Sequence, residues 1–168
     1  MKTPTEWFDE YGDSHQNPVN KRIHWVCVPI IFVMTVGLVW SIPAGPLEGV
    51  LGGSLAPYSN WATLASLLAL AYYFVLSITI GIGMLIWCTF ALWLVSWLDQ
   101  LSSAPLWAIS LTIFVIAWIG QFIGHRIEGK KPSFFRDLQF LLIGPAWLLH
   151  FIYRRLGISY GPERASTS

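Results

Sequence analysis

Four apolar stretches, each long enough to cross a lipid bilayer, dominate this chain and leave it little choice of fold. They run from about Ile23 to Ile42, Trp61 to Thr79, Ile82 to Leu98 and Pro105 to Gly124. A hydrocarbon core about 30 Å thick takes about 20 helical residues to span. Inside lipid the backbone must satisfy its own hydrogen bonds, which a helix does within one segment. Only 11% of the 168 residues are charged and 55% are hydrophobic, against about 25% charged in a soluble domain. The expected fold class is all-α, an integral membrane bundle of four transmembrane helices. A fifth stretch, Leu138 to Tyr153, is shorter and interrupted by Gly144-Pro145. It is expected to form a C-terminal interfacial or re-entrant helical segment. The chain thus reads as a single membrane domain, 1–168: a polar N-terminal segment (1–22), a four-span core (23–124), a loop with the interfacial or re-entrant segment (125–157) and a polar tail (158–168). No cleavable signal peptide is expected, because the chain opens on polar residues.

Charge placement sets the expected topology. The cations fall in three groups: Lys2, Lys21 and Arg22; then Arg126, Lys130, Lys131 and Arg136; then Arg154, Arg155 and Arg164. The connections Ser41 to Asn60 and Asp99 to Ala104 carry none. Under the positive-inside rule the basic segments and both termini are cytoplasmic and the bare loops external. The membrane would be the plasma membrane of a bacterium or the endoplasmic reticulum of a eukaryote. The connection near Ser77 to Gly83 must then turn on the inner side, where Gly81 and Gly83 permit a tight turn. Trp25, Trp40, Trp61, Trp97 and Trp107 lie near proposed span ends, as interfacial indoles do. A net charge of +1 gives no reason to expect nucleic acid. The boundary cations suit anionic membrane lipid or the headgroup of an acidic substrate. Cys27 and Cys88 both fall inside proposed spans and suggest neither a disulfide nor a metal pair.

Against this apolar background, two short polar segments carry three of the four histidines. Asn17-Pro18 is a helix-start signal, with Asn capping and Pro at the first helical position. A helix from there places Asn20 and His24 on one face, with His15 just before the cap and Tyr11 four residues earlier. At the end of the fourth stretch, Trp118, Gln121, His125 and Glu128 share a face if the helix continues through Gly124. Parity of crossings puts His24 and His125 at the same cytoplasmic level. A metal bound by His15, His24 and His125 would leave positions open for substrate and oxygen. Glu128 or His150 could complete it, with Asn17, Asn20 and Gln121 orienting the imidazoles. The competing readings are interfacial histidines satisfied by water and headgroups, a packing role for His150, and a boundary ion pair or general base for Glu128. Asp137 reads as a dipole-favouring acid at a helix start and Pro132 as a helix stop.

The two segments resemble the family of yeast-type 2-hydroxy fatty acid dioxygenases (Mpo-type membrane proteins, formerly a domain of unknown function). The first pattern is matched by Tyr11, His15, Asn17, Pro18, Asn20, His24 and Pro29, and the second by Trp118, Gln121, Gly124, His125, Glu128 and Pro132. The chain departs from the pattern at Ser133-Phe134-Phe135, and His150 has no counterpart in it. The resemblance implies an enzyme that uses Fe(2+) and O2 to shorten 2-hydroxy fatty acids by one carbon. Converting R-CHOH-COOH to R-COOH and CO2 removes four electrons, which one O2 accepts with release of water, so no reducing co-substrate is needed. In that frame His15, His24 and His125 are the candidate metal ligands and Glu128 and Gln121 the candidate catalytic groups. His150 is a further candidate ligand on its own position, not on the resemblance. Tyr11, Asn17 and Asn20 are candidates for positioning them. The alternatives are a membrane zinc hydrolase with Glu128 as base, a bis-histidine haem protein, and a non-enzymatic lipid-binding protein.

Overall fold

The computed structural model describes residues 2–130 and 139–161, and every regular element among them is helical. Lys131, Pro132, Arg136, Asp137, Leu138 and Arg164 lie outside the described residues. Six α-helices follow in order: α1 (Pro4–Gly12), α2 (Pro18–Trp40), α3 (Trp61–Leu76), α4 (Ile78–Leu101), α5 (Leu106–Glu128) and α6 (Gln139–Leu156). Three of them, α2, α4 and α5, are long and apolar enough to cross a membrane. Helix α3 is apolar but has 16 residues, about 24 Å of rise.

The local signals explain where these helices start and stop. Asn17 caps α2 by accepting from the Val19 N–H at 2.8 Å, with Pro18 at the first helical position. Asn60 does the same for Thr63 in α3. Helix α5 continues through Gly124 and ends at Gly129, whose φ of 73° suits glycine. There the Lys130 N–H reaches back to the His125 carbonyl. The α3–α4 turn differs from expectation. It is made by Ser77 alone, which is extended (φ −168°, ψ 134°) and caps α4 through its hydroxyl. Gly81 and Gly83 lie inside α4, where they make room for Phe74 and for Leu149 and Tyr153. Helix α1 was not foreseen in the polar N-terminal segment. Thr3 and Glu6 form a reciprocal capping box for it, and Trp7, Phe8 and Tyr11 are its buried face.

Packing is closest between α2 and α5, and it runs through glycines. Gly120 and Gly124 sit one turn apart on α5. A Cβ on Gly124 would lie 2.4 Å from Asn20 Oδ1, and one on Gly120 2.8 Å from Cys27 Sγ. Small residues let helix backbones approach where lipid supplies no hydrophobic drive. Gly124→Leu is therefore expected to cost about 1–3 kcal/mol by overpacking, read as a lower thermal unfolding midpoint in detergent. Gly12→Ala, whose Cβ would meet only Trp147 Nε1 at 3.8 Å, should move it little.

Helix α6 closes one end of the bundle. It runs antiparallel to α1, with Tyr11 against Gly144 and Trp147 and Phe8 against His150. Two hydroxyls tether it beside the α3–α4 turn: Tyr73 donates to the Leu142 carbonyl and Tyr153 to that of Thr79, both at 2.7 Å. Pro145 lies inside this helix without ending it. Helices α3 and α5 stay apart, and a cleft of about 650 Å³ lies between them over one face of α2.

Candidate metal centre

His15, His24 and His125 meet at the end of the bundle that α6 covers, although they come from the α1–α2 connection, the first turns of α2 and the last turn of α5. One ring nitrogen from each lies within 4.8 Å of the other two. The ring centroids of His15 and His24 are 4.2 Å apart, and each lies 4.9 Å from that of His125. All three are buried, with exposures of 0%, 1% and 5%.

Main-chain carbonyls fix two of the rings. His15 Nδ1 donates to the Tyr11 carbonyl at 2.6 Å, and His24 Nδ1 to the Asn20 carbonyl at 3.0 Å. A carbonyl only accepts, so both Nδ1 atoms carry the proton and both Nε2 atoms present lone pairs when the rings are neutral. Those two Nε2 atoms face each other at 2.9 Å. Two bare lone pairs so close repel unless a cation or a proton lies between them. Burial holds the His15 ring well below the ordinary histidine range, at about 4, so near neutral pH a metal cation fits the gap better than a proton. His125 adds a third donor, with its Nδ1 buried and unpartnered. The donor set is that of a site for iron, zinc or copper.

A lowered histidine pKa also makes the metal-free fold pH-sensitive. The unfolded ring takes up its proton near 6.5 and the folded ring only near 4, so the unfolded state binds more protons in between. The contribution is therefore complete above about 6.5 and is lost as pH falls through that window. The metal-free protein is expected to be less stable at acidic than at neutral pH, measured as thermal unfolding at stepped pH.

Glu128 is turned away from the ligand atoms and towards the backbone. Its Oε1 accepts from the Gln16 N–H at 2.8 Å, and its Oε2 from the Asn17 N–H at 2.8 Å and from Asn20 Nδ2 at 3.0 Å. The carboxylate thus clasps the start of α2, where free N–H groups and the helix dipole favour an anion. It ties the last turn of α5 to the loop bearing His15. Asn20 also donates to the Ser14 carbonyl at 3.3 Å, so both helix ends and the loop between them are cross-linked. Of the expected orienting residues, Tyr11 and Asn20 hold the rings through their main-chain carbonyls, while Asn17 caps α2. Tyr11 stacks on His15 with centroids 4.3 Å apart and planes 11° from parallel, and Trp147 lies tilted 5.2 Å from the same ring. Trp147 gave no signal in the sequence, because only the crossing of α6 brings it there.

His150 does not join the three. Its Nδ1 pairs with the Tyr160 hydroxyl, and its ring packs on Phe8 and Phe151. It faces α1 from a later turn of α6 than the one that covers the triad and is not among the clustered donors. Lys130 is also committed elsewhere, donating to the Asp13 carbonyl at 2.6 Å.

The cleft opens onto the triad. His24, His125 and Gln121 line its inner end with Tyr11 and Trp118, and the remainder is almost wholly apolar. Gln121 is buried, and its Oε1 has no partner. An amphiphile with an oxygen-bearing head and a long apolar tail fits this arrangement. A family model described as 2-hydroxy-palmitic acid dioxygenase Mpo1-like matches residues 1–156. No curated protein and no solved structure matches the chain.

Proposed function

The chain belongs to this Mpo1-like family, and from that premise we propose that it is an Fe(II)-dependent dioxygenase that shortens 2-hydroxy fatty acids by one carbon. The observation that carries the reading is the cluster of three imidazoles, two of which (His24 and His125) line the cleft with Gln121. The remainder of the cleft is mostly apolar apart from Thr35 and Ser66. His15, His24 and His125 would hold the iron. Bound there, ferrous iron would supply the O2 chemistry and a docking point for the hydroxyl and carboxylate of the substrate. The net reaction is R-CHOH-COOH + O2 → R-COOH + CO2 + H2O, which balances without an added reductant.

The protein's own groups do the rest. The carbonyls of Tyr11 and Asn20 keep both Nδ1 protons in place, so the Nε2 atoms stay available as ligands. Gln121 Oε1 accepts the proton of the substrate's 2-hydroxyl, a hydrogen bond an unsubstituted acid cannot make. Tyr11 and Trp147 shield His15 from water. Glu128 acts as a positioning residue through the start of α2.

The proposed topology is a single membrane domain with four crossings, α3 being the short one, and both termini cytoplasmic. The tethers of α6 to the α3–α4 turn support an interfacial lie for that helix. The test is product analysis. Iron-loaded protein given 2-hydroxypalmitate and O2 should release CO2 and the acid one carbon shorter, with one O2 consumed per acid. Zinc content with anaerobic turnover of an ester or amide would instead favour a hydrolase.

A further inference from the structure

We infer that the cleft along α2 is a straight acyl-chain site whose usable depth is graded by the small residues of α3. The inference rests on the dioxygenase reading for the identity of the chain's head.

The head is placed by the polar end of the cleft. Gln121 and His125 line it there, both buried and each with an unpartnered polar atom (Oε1 and Nδ1). An occupant must therefore bring a hydrogen-bonding or metal-binding group to that end. Along α2 the lining runs from His24 to Val39, a rise of about 22 Å at about 1.5 Å per residue. One leaflet of hydrocarbon is about 15 Å deep, half of about 30 Å. An acyl chain of membrane-lipid length can thus lie extended from the triad towards the far end of the bundle. The cavity is within the range of single-ligand sites, about 300–1,000 Å³.

The wall opposite α5 is built from Ala62, Ala65, Ser66 and Ala69 of α3. These follow one face of the helix, with Ala62 at the far end and Ala69 nearest the histidines. Each lacks the side-chain length that would fill the cleft, whereas the neighbouring Leu64, Leu67 and Leu68 are exposed on other faces. Ala65 and Ala69 are about 6 Å apart along the helix. A bulky side chain at either should plug the cleft at a defined distance from the head. Because Ala65 is exposed and Ala69 half-buried, both can be enlarged with less disturbance than Ala62, which is core.

The experiment compares wild type, Ala65→Phe and Ala69→Phe on a series of 2-hydroxy acids of increasing length. Each variant is first checked for unchanged unfolding midpoint and metal content. Ala65→Phe should lower kcat/KM for the longest acids by at least about tenfold while sparing shorter ones. Ala69→Phe should move the cut-off to still shorter chains. Unchanged length profiles in folded, metal-loaded variants would overturn the inference and leave the dioxygenase reading standing. If wild type oxidises no 2-hydroxy acid, that reading fails, and photolabelling of the metal-free protein decides the cleft on its own. An acid carrying a diazirine at its terminal carbon should label the outer half of α2 and the start of α3. One carrying it beside the head should label the Gln121–His125 segment. Both probes labelling the same peptide, or the outward face of α4, would contradict the inference. So would labelling that excess phospholipid suppresses but excess 2-hydroxypalmitate does not.

Discussion

His24→Ala is expected to abolish bound metal and to lower turnover by at least about a thousandfold, a loss on the order of 4 kcal/mol in transition-state stabilisation. His24 is 1% exposed, and its Nε2 faces that of His15 at 2.9 Å, so no water or headgroup can readily replace the missing donor. His15→Ala and His125→Ala should behave alike, because the three act as one unit and their effects will not add. His150→Ala is the discriminating control. Its ring pairs with Tyr160 and packs on Phe8, so metal content and kcat should remain near wild type even if stability falls modestly. Elemental analysis of the four purified variants, alongside their unfolding midpoints, separates loss of a ligand from loss of the fold.

The second large effect belongs to Glu128. Removing its carboxylate in Glu128→Ala leaves two backbone N–H groups and the Asn20 amide without their acceptor. Hydrogen bonds to a charged group are worth about 1.5–3 kcal/mol each where buried, and less here, where the Gln16 N–H is exposed and the other two donors are part-buried. The loop bearing His15 would loosen from α5, and metal affinity should fall about 10–100-fold, as it does when groups orienting a ligand are lost. Because Glu128 touches backbone rather than the ligand atoms, saturating iron should restore most of kcat and leave the pH profile of kcat unchanged. A lost acidic limb in that profile with full metal content would instead make Glu128 a general base. Glu128→Gln should fall between, since an amide can still accept at one atom but sets N–H against N–H at the other.

Much of this centre was legible in the sequence because it depended on counting rather than contact. Four expected crossings would put His24 and His125 at one level, where their rings do meet, and Asn17-Pro18 marks where α2 starts. A helix running through Gly124 puts Gln121, His125 and Glu128 on one face. Other features depend on surfaces that periodicity does not reveal. The clasp of Glu128 is made to main-chain N–H groups, and the rings are held by main-chain carbonyls. Neither leaves a mark in residue identity. Helix α1 was hidden because its apolar face is only Trp7, Phe8 and Tyr11, too short a pattern to stand out in a polar stretch. Ser77 rather than Gly81 or Gly83 makes the α3–α4 turn, because those glycines are needed where Phe74 and α6 press against α4. His150 could not be placed without knowing which turn of α6 covers the triad. The cleft arises from the separation of α3 and α5, and no local signal encodes a gap.

Iron K-edge X-ray absorption on protein purified anaerobically in mild detergent tests the central claim most directly. About one iron per chain with three imidazole scatterers, and loss of that iron in His125→Ala, is the expected result. A chain that retains no iron, or whose iron spectrum is indifferent to all three histidine substitutions, would contradict it.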